Sequence, residues 1–265
     1  MRLADPLRWT LAALVLASPL ALQAAGKCER LVATGTADNP PFVWRDGKRL
    51  AGANVELLER IAKNLGLKLE VLHTGDAGKA LEEVRSGRID ILLDAPLQAE
   101  RLAEMDFIHP PIARLESFAW VRNEPGFLYA TPADLRGRRG LRVAGDSLSE
   151  ASGLPDLKPG RDLGQAVAAL TRGDADFVLY ERYGALARLE QPLLEKIQRL
   201  TPAVARRSMH LALSHDSACN DPWLRGQLAL QMTELQAAGV PELLLVDNLV
   251  RWKEQKPAGE APAKN

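Results

Sequence analysis

The stretch DAPLQAERLAEMDF, Asp94–Phe107, sets one arginine, Arg101, where a buried strand gives way to a short amphipathic helix. A guanidinium placed there is a candidate for holding an anion. Pro96, just upstream, removes a backbone N–H that an anion site would use, and Asp94 adds a carboxylate to the same stretch. Other chemistry is thinly represented. His73, His109, His210 and His215 are scattered without metal-ligand spacing. Glu82 and Glu83 fall on a helix patterned for solvent, and no Gly-x-Ser-x-Gly, Walker A or Gly-x-Gly-x-x-Gly run occurs. The expectation is a protein that binds rather than catalyses, with no cofactor and no metal.

The bulk of the chain agrees with a folded binding protein. It has 265 residues, 46% hydrophobic and 26% charged, enough for one or two domains with proper cores. Its 34 basic and 34 acidic side chains balance, so there is no field to gather a polyphosphate, and nucleic acid is not expected as a partner. Residues 1–24 read as a secretory signal peptide. Arg2 and Arg8 precede the apolar run LAALVLASPLAL, which is short of the ~20 residues a membrane-crossing helix needs, and small residues follow in QAAG. An exported chain meets an oxidising compartment, where the two cysteines, Cys28 and Cys219, are expected to pair; two inert buried thiols are the alternative. Lys27 directly before Cys28 argues against lipidation of that cysteine.

Elements able to position Arg101 follow from the hydrophobic pattern. RLVATGT, KLEVLH and RIDILLD read as strands, and KALEEVRSG as a helix. In NVELLERIAKNLGL, helical spacing joins Val55, Leu58, Ile61, Ala62 and Leu65. A second series, GLRVAG, DLGQAVAALTRG, DFVLY and YGALARLE, repeats the strand–helix alternation. The fold class is therefore α/β, with a mainly parallel sheet covered by helices. FAWVRNEPG, ending in turn residues, is a strand able to cross between two lobes, and MHLALSH is a late strand that returns. The expected division is 25–120 and 208–252 for the first lobe, 121–207 for the second, and 253–265 for a disordered Pro/Ala/Lys tail. Two lobes joined by two hinge crossings enclose a cleft suited to a small ligand.

From about Cys28 to Trp252 the chain resembles the extracellular solute-binding proteins of family 3, the periplasmic receptors of polar amino acid ABC importers. NPPFVWRDGKRLAGANVELLERIAKNLGL, SGRIDILLD with AERLAEMDFIHPP, ADLRGRRGLRVAG, LTRGDADFVLYER and the closing LVRW carry the likeness, in order. The resemblance implies a two-lobe, type II periplasmic-binding-protein-like fold and a periplasmic, monomeric protein. Its partners would be a small amino acid-like ligand and an ABC permease or a membrane sensor. It implies that Arg101 forks onto the ligand's α-carboxylate and that Glu181 stands where the family places an ammonium-binding aspartate. Phe42 and Trp44 are the nearest aromatic contacts, and Asn39, Asp94, Gln98 and Ser147 complete the candidate set. Structural alternatives exist: Arg101 as a solvated arginine paired to Glu100 or Glu104, Glu181 as a helix cap, Phe42 as packing.

Departures from the family pattern matter as much. The usual Gly/Ser-x-Ser/Thr-x-Thr run is replaced by Asp94, Ala95, Pro96, Leu97 and Gln98. With Asp94 and Glu181 both near the ligand, the expected solute carries a cationic group beside its acid, and acidic amino acids should bind poorly. Three functions stay open, in this order: delivery of an amino acid-like solute to an importer; a receptor-like protein with a divergent cleft that signals to or regulates a membrane partner; and a hydrolytic enzyme.

Overall fold

The computed structural model describes residues 28–124 and 126–255. The expected signal peptide lies outside these residues, as does the tail beyond Gln255. Lys253–Gln255, assigned above to that tail, instead complete the C-terminal helix Val240–Gln255. The reason is a tertiary contact: the Lys253 ammonium reaches the Leu189 carbonyl.

In the first lobe, the strand Arg30–Thr34 lies parallel between Lys68–Val71 and Ile91–Pro96. The helix Ala53–Leu65 covers it, burying Val55, Leu57, Leu58, Ile61 and Ala62. That helix stops at Gly66, whose φ of 69° lets its N–H reach back to the last turn. In the second lobe, Gly140–Val143 lies parallel between Lys158–Gly160 and Phe177–Glu181. The helix Leu163–Arg172 packs there through Leu163, Ala166, Val167 and Leu170, with Asp162 capping its start through a 2.8 Å bond from the Gln165 N–H.

Two ten-residue strands, Ala113–Arg122 and Ala205–Ser214, join the lobes. They pair antiparallel with each other from Ala113↔Met209 to Ser117↔Ala205. Beyond Ser117 the first pairs with Phe177–Glu181 in the second lobe, and beyond Ser208 the second pairs with Ile91–Pro96 in the first. One ten-stranded sheet therefore runs through both lobes. The change of partner comes before the expected break after Trp120, since Trp120 already packs in the second lobe's core with Val178 and Leu170. Asn-Glu-Pro-Gly marks where this strand ends, whereas the lobe changes where its neighbour changes.

The Cys28–Cys219 disulfide forms, with Cα atoms 5.1 Å apart, and ties the start of the first strand to the segment after the second crossing. A further link between the lobes was not expected. The C-terminal helix packs on Ala53–Leu65 of the first lobe and on the short helix Arg182–Arg188 of the second. There the Tyr183 hydroxyl donates to the Glu242 carboxylate, at 3.0 Å from one oxygen and 3.1 Å from the other, and Trp252 Nε1 donates to the Ala187 carbonyl at 2.9 Å. Tyr183 also sets its ring edge-on to Phe42 at 5.5 Å. Tyr183→Phe removes a hydroxyl bonded to a charged group and is expected to cost about 1.5–3 kcal/mol in urea unfolding; an unchanged midpoint would deny the contact any weight.

Candidate functional site

A cleft of about 700 Å³ opens between the lobes. Five of the expected residues, Asn39, Phe42, Asp94, Ser147 and Glu181, line it; Arg101, Trp44 and Gln98 do not. Trp44 is fully buried, 5.5 Å from the Trp252 ring, so its role in this structure is packing. Gln98 precedes a 3-10 turn, Ala99–Ala103, and its carbonyl accepts from the Arg101 N–H at 3.1 Å.

Asp94 is buried, and its neighbours belong to the fold. Asn39 Nδ2 donates to Oδ2 at 2.9 Å and the Thr36 N–H to Oδ1 at 3.1 Å, which fastens the loop before Phe42 to the strand Ile91–Pro96. Burial raises the Asp94 pKa, against the pull of these hydrogen bonds. The aspartate that stands in for a family hydroxyl therefore holds a cleft wall together, with Asn39 as its holder.

Glu181 stands in the cleft wall and also takes the helix-cap role that was its structural alternative, capping the helix Arg182–Arg188 through a 2.7 Å bond from the Gly184 N–H to Oε2. Its other oxygen, Oε1, is buried without a hydrogen-bond partner among the described residues. Burial pushes its pKa up to about 7. The folded chain then holds a proton on Glu181 that the unfolded chain releases from about pH 4.5 upward. The stability this proton lends is complete below pH 4.5 and lost as pH rises through 7, at most about 3 kcal/mol in all. In Glu181→Gln that share of the pH dependence should vanish between pH 5 and 8; a variant with the wild-type slope in urea titrations would overturn the assignment.

Arg101 is half-buried and makes no side-chain hydrogen bond or ion pair among the described residues. Glu104, its expected structural partner, is held instead by the Arg85 guanidinium. Three other arginines, Arg161, Arg188 and Arg207, line the cleft and were not anticipated. Arg188 meets Asp38 across the lobes, with a 3.2 Å ion pair and a 2.8 Å bond to the Asp38 carbonyl. Arg207 lies on the second crossing strand, and its Nη1 donates to the Ser147 hydroxyl at 3.1 Å. Only the pairing of distant strands brings Arg207 here, and nothing local in ARRSMHLALS marks it.

Asp146, also in the lining, accepts from the N–H groups of Leu148 at 3.1 Å and Ser149 at 3.3 Å, and burial raises its pKa. The histidines stay out of the cleft. His210 is buried, with Nδ1 2.9 Å from the Ile108 carbonyl and its ring against Phe107 and His109. Among the described residues no cluster suited to a metal occurs, and no helix is long and apolar enough to cross a membrane.

The sequence profile of the bacterial extracellular solute-binding proteins, family 3, matches residues 31–239. The chain belongs to this family. A relative, a probable histidine-binding protein of Campylobacter jejuni, is 26% identical over 153 residues, 56% of this chain and 59% of that one, so the match spans little more than half of the relative. Among solved structures, an ancestral cationic amino acid solute-binding protein superposes with a TM-score of 0.66 at 18% identity, covering 84% of this chain and 95% of that one. An amino acid ABC transporter substrate-binding protein from Streptococcus pneumoniae, bound to L-arginine, gives 0.60 at 21% identity, with 84% and 96% covered. A histidine kinase sensor domain similar to periplasmic binding proteins gives 0.62 at 22% identity, with 83% and 96% covered. These likenesses establish the two-lobe fold.

Proposed function

We propose that this chain is an exported, periplasmic solute-binding protein that captures an amino acid or a related small polar solute between its lobes and delivers it to an ABC importer. The observation that carries the reading is the cleft of about 700 Å³, lined by both lobes and by both crossing strands with charged groups and Phe42. The relatives named for amino acid binding and import support it. The sequence alone suggests hinges at Trp120–Glu124 and Ser208–Ser214; the pairing of 113–117 with 205–209 supports moving the turning point to that stretch of the crossing strands, where a few residues would absorb the rotation.

Thermal shift across a panel of amino acids and amines tests this reading, because a ligand at 100 times its Kd adds about 2.7 kcal/mol to stability. Solution scattering with the best ligand should then show compaction. A second reading, a receptor that reports to a membrane sensor, is favoured by the sensor-domain likeness over nearly the same span. Failure of the whole panel to raise the melting temperature would turn the assignment to that reading.

A further inference from the structure

One helix of the second lobe is gripped from the first. The helix Arg182–Arg188 rides on the second lobe, whose core takes Ala185 and, just past the helix end, Leu189. The C-terminal helix Val240–Gln255 rides on the first lobe, whose core takes Leu244 and Leu245, and Arg251 pairs it to Glu56 of Ala53–Leu65. The ties between the two fall at both ends of the short helix. Near its start Tyr183, 5% exposed, packs in the first lobe's core beside Phe42, with its hydroxyl on the Glu242 carboxylate. At its far end the carbonyls of Ala187 and Leu189 accept from Trp252 and Lys253. A helix has no N–H of its own for its last carbonyls, so these donors meet a need that the second lobe leaves open. Trp252 is itself steadied by Trp44 of the first lobe, with ring centroids 5.5 Å apart.

None of Tyr183, Glu242, Trp252 and Lys253 belongs to the cleft lining. The lining does show that the lobes are drawn together: Asp38 of the first and Arg188 of the second both face the cleft and meet in a 3.2 Å ion pair. The grip on Arg182–Arg188 therefore goes with a closed cleft. Turning the lobes apart about the crossing strands carries one helix away from the other, so Tyr183 has to leave the core and both carbonyls lose their donors. Contacts made in only one of two arrangements shift the population toward it.

We propose that Tyr183 and Trp252 latch the lobes together, so that the closed arrangement is held in part by side chains standing outside the cleft. They are positioning residues: Phe42 lines the cleft and packs on Tyr183, so the latch also steadies a wall of the site. Only its consequence for affinity rests on the solute-binding reading above. A solute held by both lobes binds more tightly as the closed share of molecules grows.

The test compares the wild type with the double variant Tyr183→Phe/Trp252→Phe, which removes the hydroxyl and the indole donor and keeps both rings aromatic. Without ligand, solution scattering should give the variant the larger radius of gyration; equal radii overturn the proposal. Each single variant should lie between, which keeps the test open should the double variant fail to fold. Glu242→Gln leaves an oxygen for the Tyr183 hydroxyl and should stay nearer the wild type than the double variant does; an equal expansion would mean general loosening and overturn the latch. Calorimetry and stopped-flow kinetics with L-arginine, L-histidine, L-glutamine and L-glutamate supply the second arm. Whichever binds the wild type should bind the double variant roughly tenfold more weakly, through faster dissociation at an unchanged association rate. A purely structural role would lower the melting temperature and leave the Kd where it was, and that result overturns the latch while the solute-binding reading stands. Binding of none of the four to the wild type counts against the solute-binding reading, and the ligand-free radii then decide the latch by themselves.

Discussion

Replacing Cys28 and Cys219 by serine, or reducing the bond between them, is expected to lower the stability of the protein by about 2–5 kcal/mol. The bond spans a sequence separation of 191 residues, most of the described chain. By the loop-closure entropy argument, opening it returns roughly 5 kcal/mol of freedom to the unfolded chain, as an upper figure. For a protein of this size the loss corresponds to a fall in melting temperature on the order of 5–15 °C. Melting curves of the wild type with and without reductant, beside the double-serine variant, provide the check. Reduced wild type and variant should coincide, and a melting temperature indifferent to reductant would deny the bond its role.

Gly52→Ala is expected to be of similar severity and to reach the cleft as well. Gly52 caps the helix Ala53–Leu65 with φ at 129°, where side chains are poorly tolerated. A Cβ built on it would stand 2.3 Å from the Phe42 carbonyl oxygen. The backbone strain alone is worth about 1–3 kcal/mol, and the contact forces the Phe42 segment outward in addition. Phe42 lines the cleft and packs on Tyr183, so the variant should lose about 3 kcal/mol or more and also bind its ligand more weakly. A denaturation midpoint within 1 kcal/mol of the wild type would show that the Phe42 segment yields at little cost.

The lobes and their elements were largely legible because their signals are local. The spacing of Val55, Leu58, Ile61, Ala62 and Leu65 predicts a helix face; the structure buries the first four and half-buries Leu65 at the end of the helix. The cleft lining was legible only in part: Asn39, Phe42, Asp94 and Glu181 lie in the quoted motifs and Ser147 just after one, while Trp44 and Arg101, also in those motifs, stay out of the lining. The motif does not say that Asp94 is bonded to Asn39 and Thr36, because that depends on how a loop folds back on a strand more than fifty residues away. Arg207 was invisible for the same reason: its neighbours are Ser147 and the Arg101 turn, and strand pairing decides both. Arg85 takes Glu104 from nearly twenty residues upstream, so sequence proximity misled where Arg101 was matched with its own helix neighbours.

The order of strands in the sheet also sets an order of assembly. The second lobe has all of its own strands once the chain has been made as far as Arg199, whereas Ile91–Pro96 of the first lobe must wait for Ala205–Ser214 to arrive on its open side. Until then the apolar run ILLDAP presents an unpaired edge, the kind of surface on which unfinished chains aggregate. The strand that completes this edge comes from the last quarter of the chain, so a nascent molecule truncated near residue 204 carries a finished second lobe and an adhesive first one.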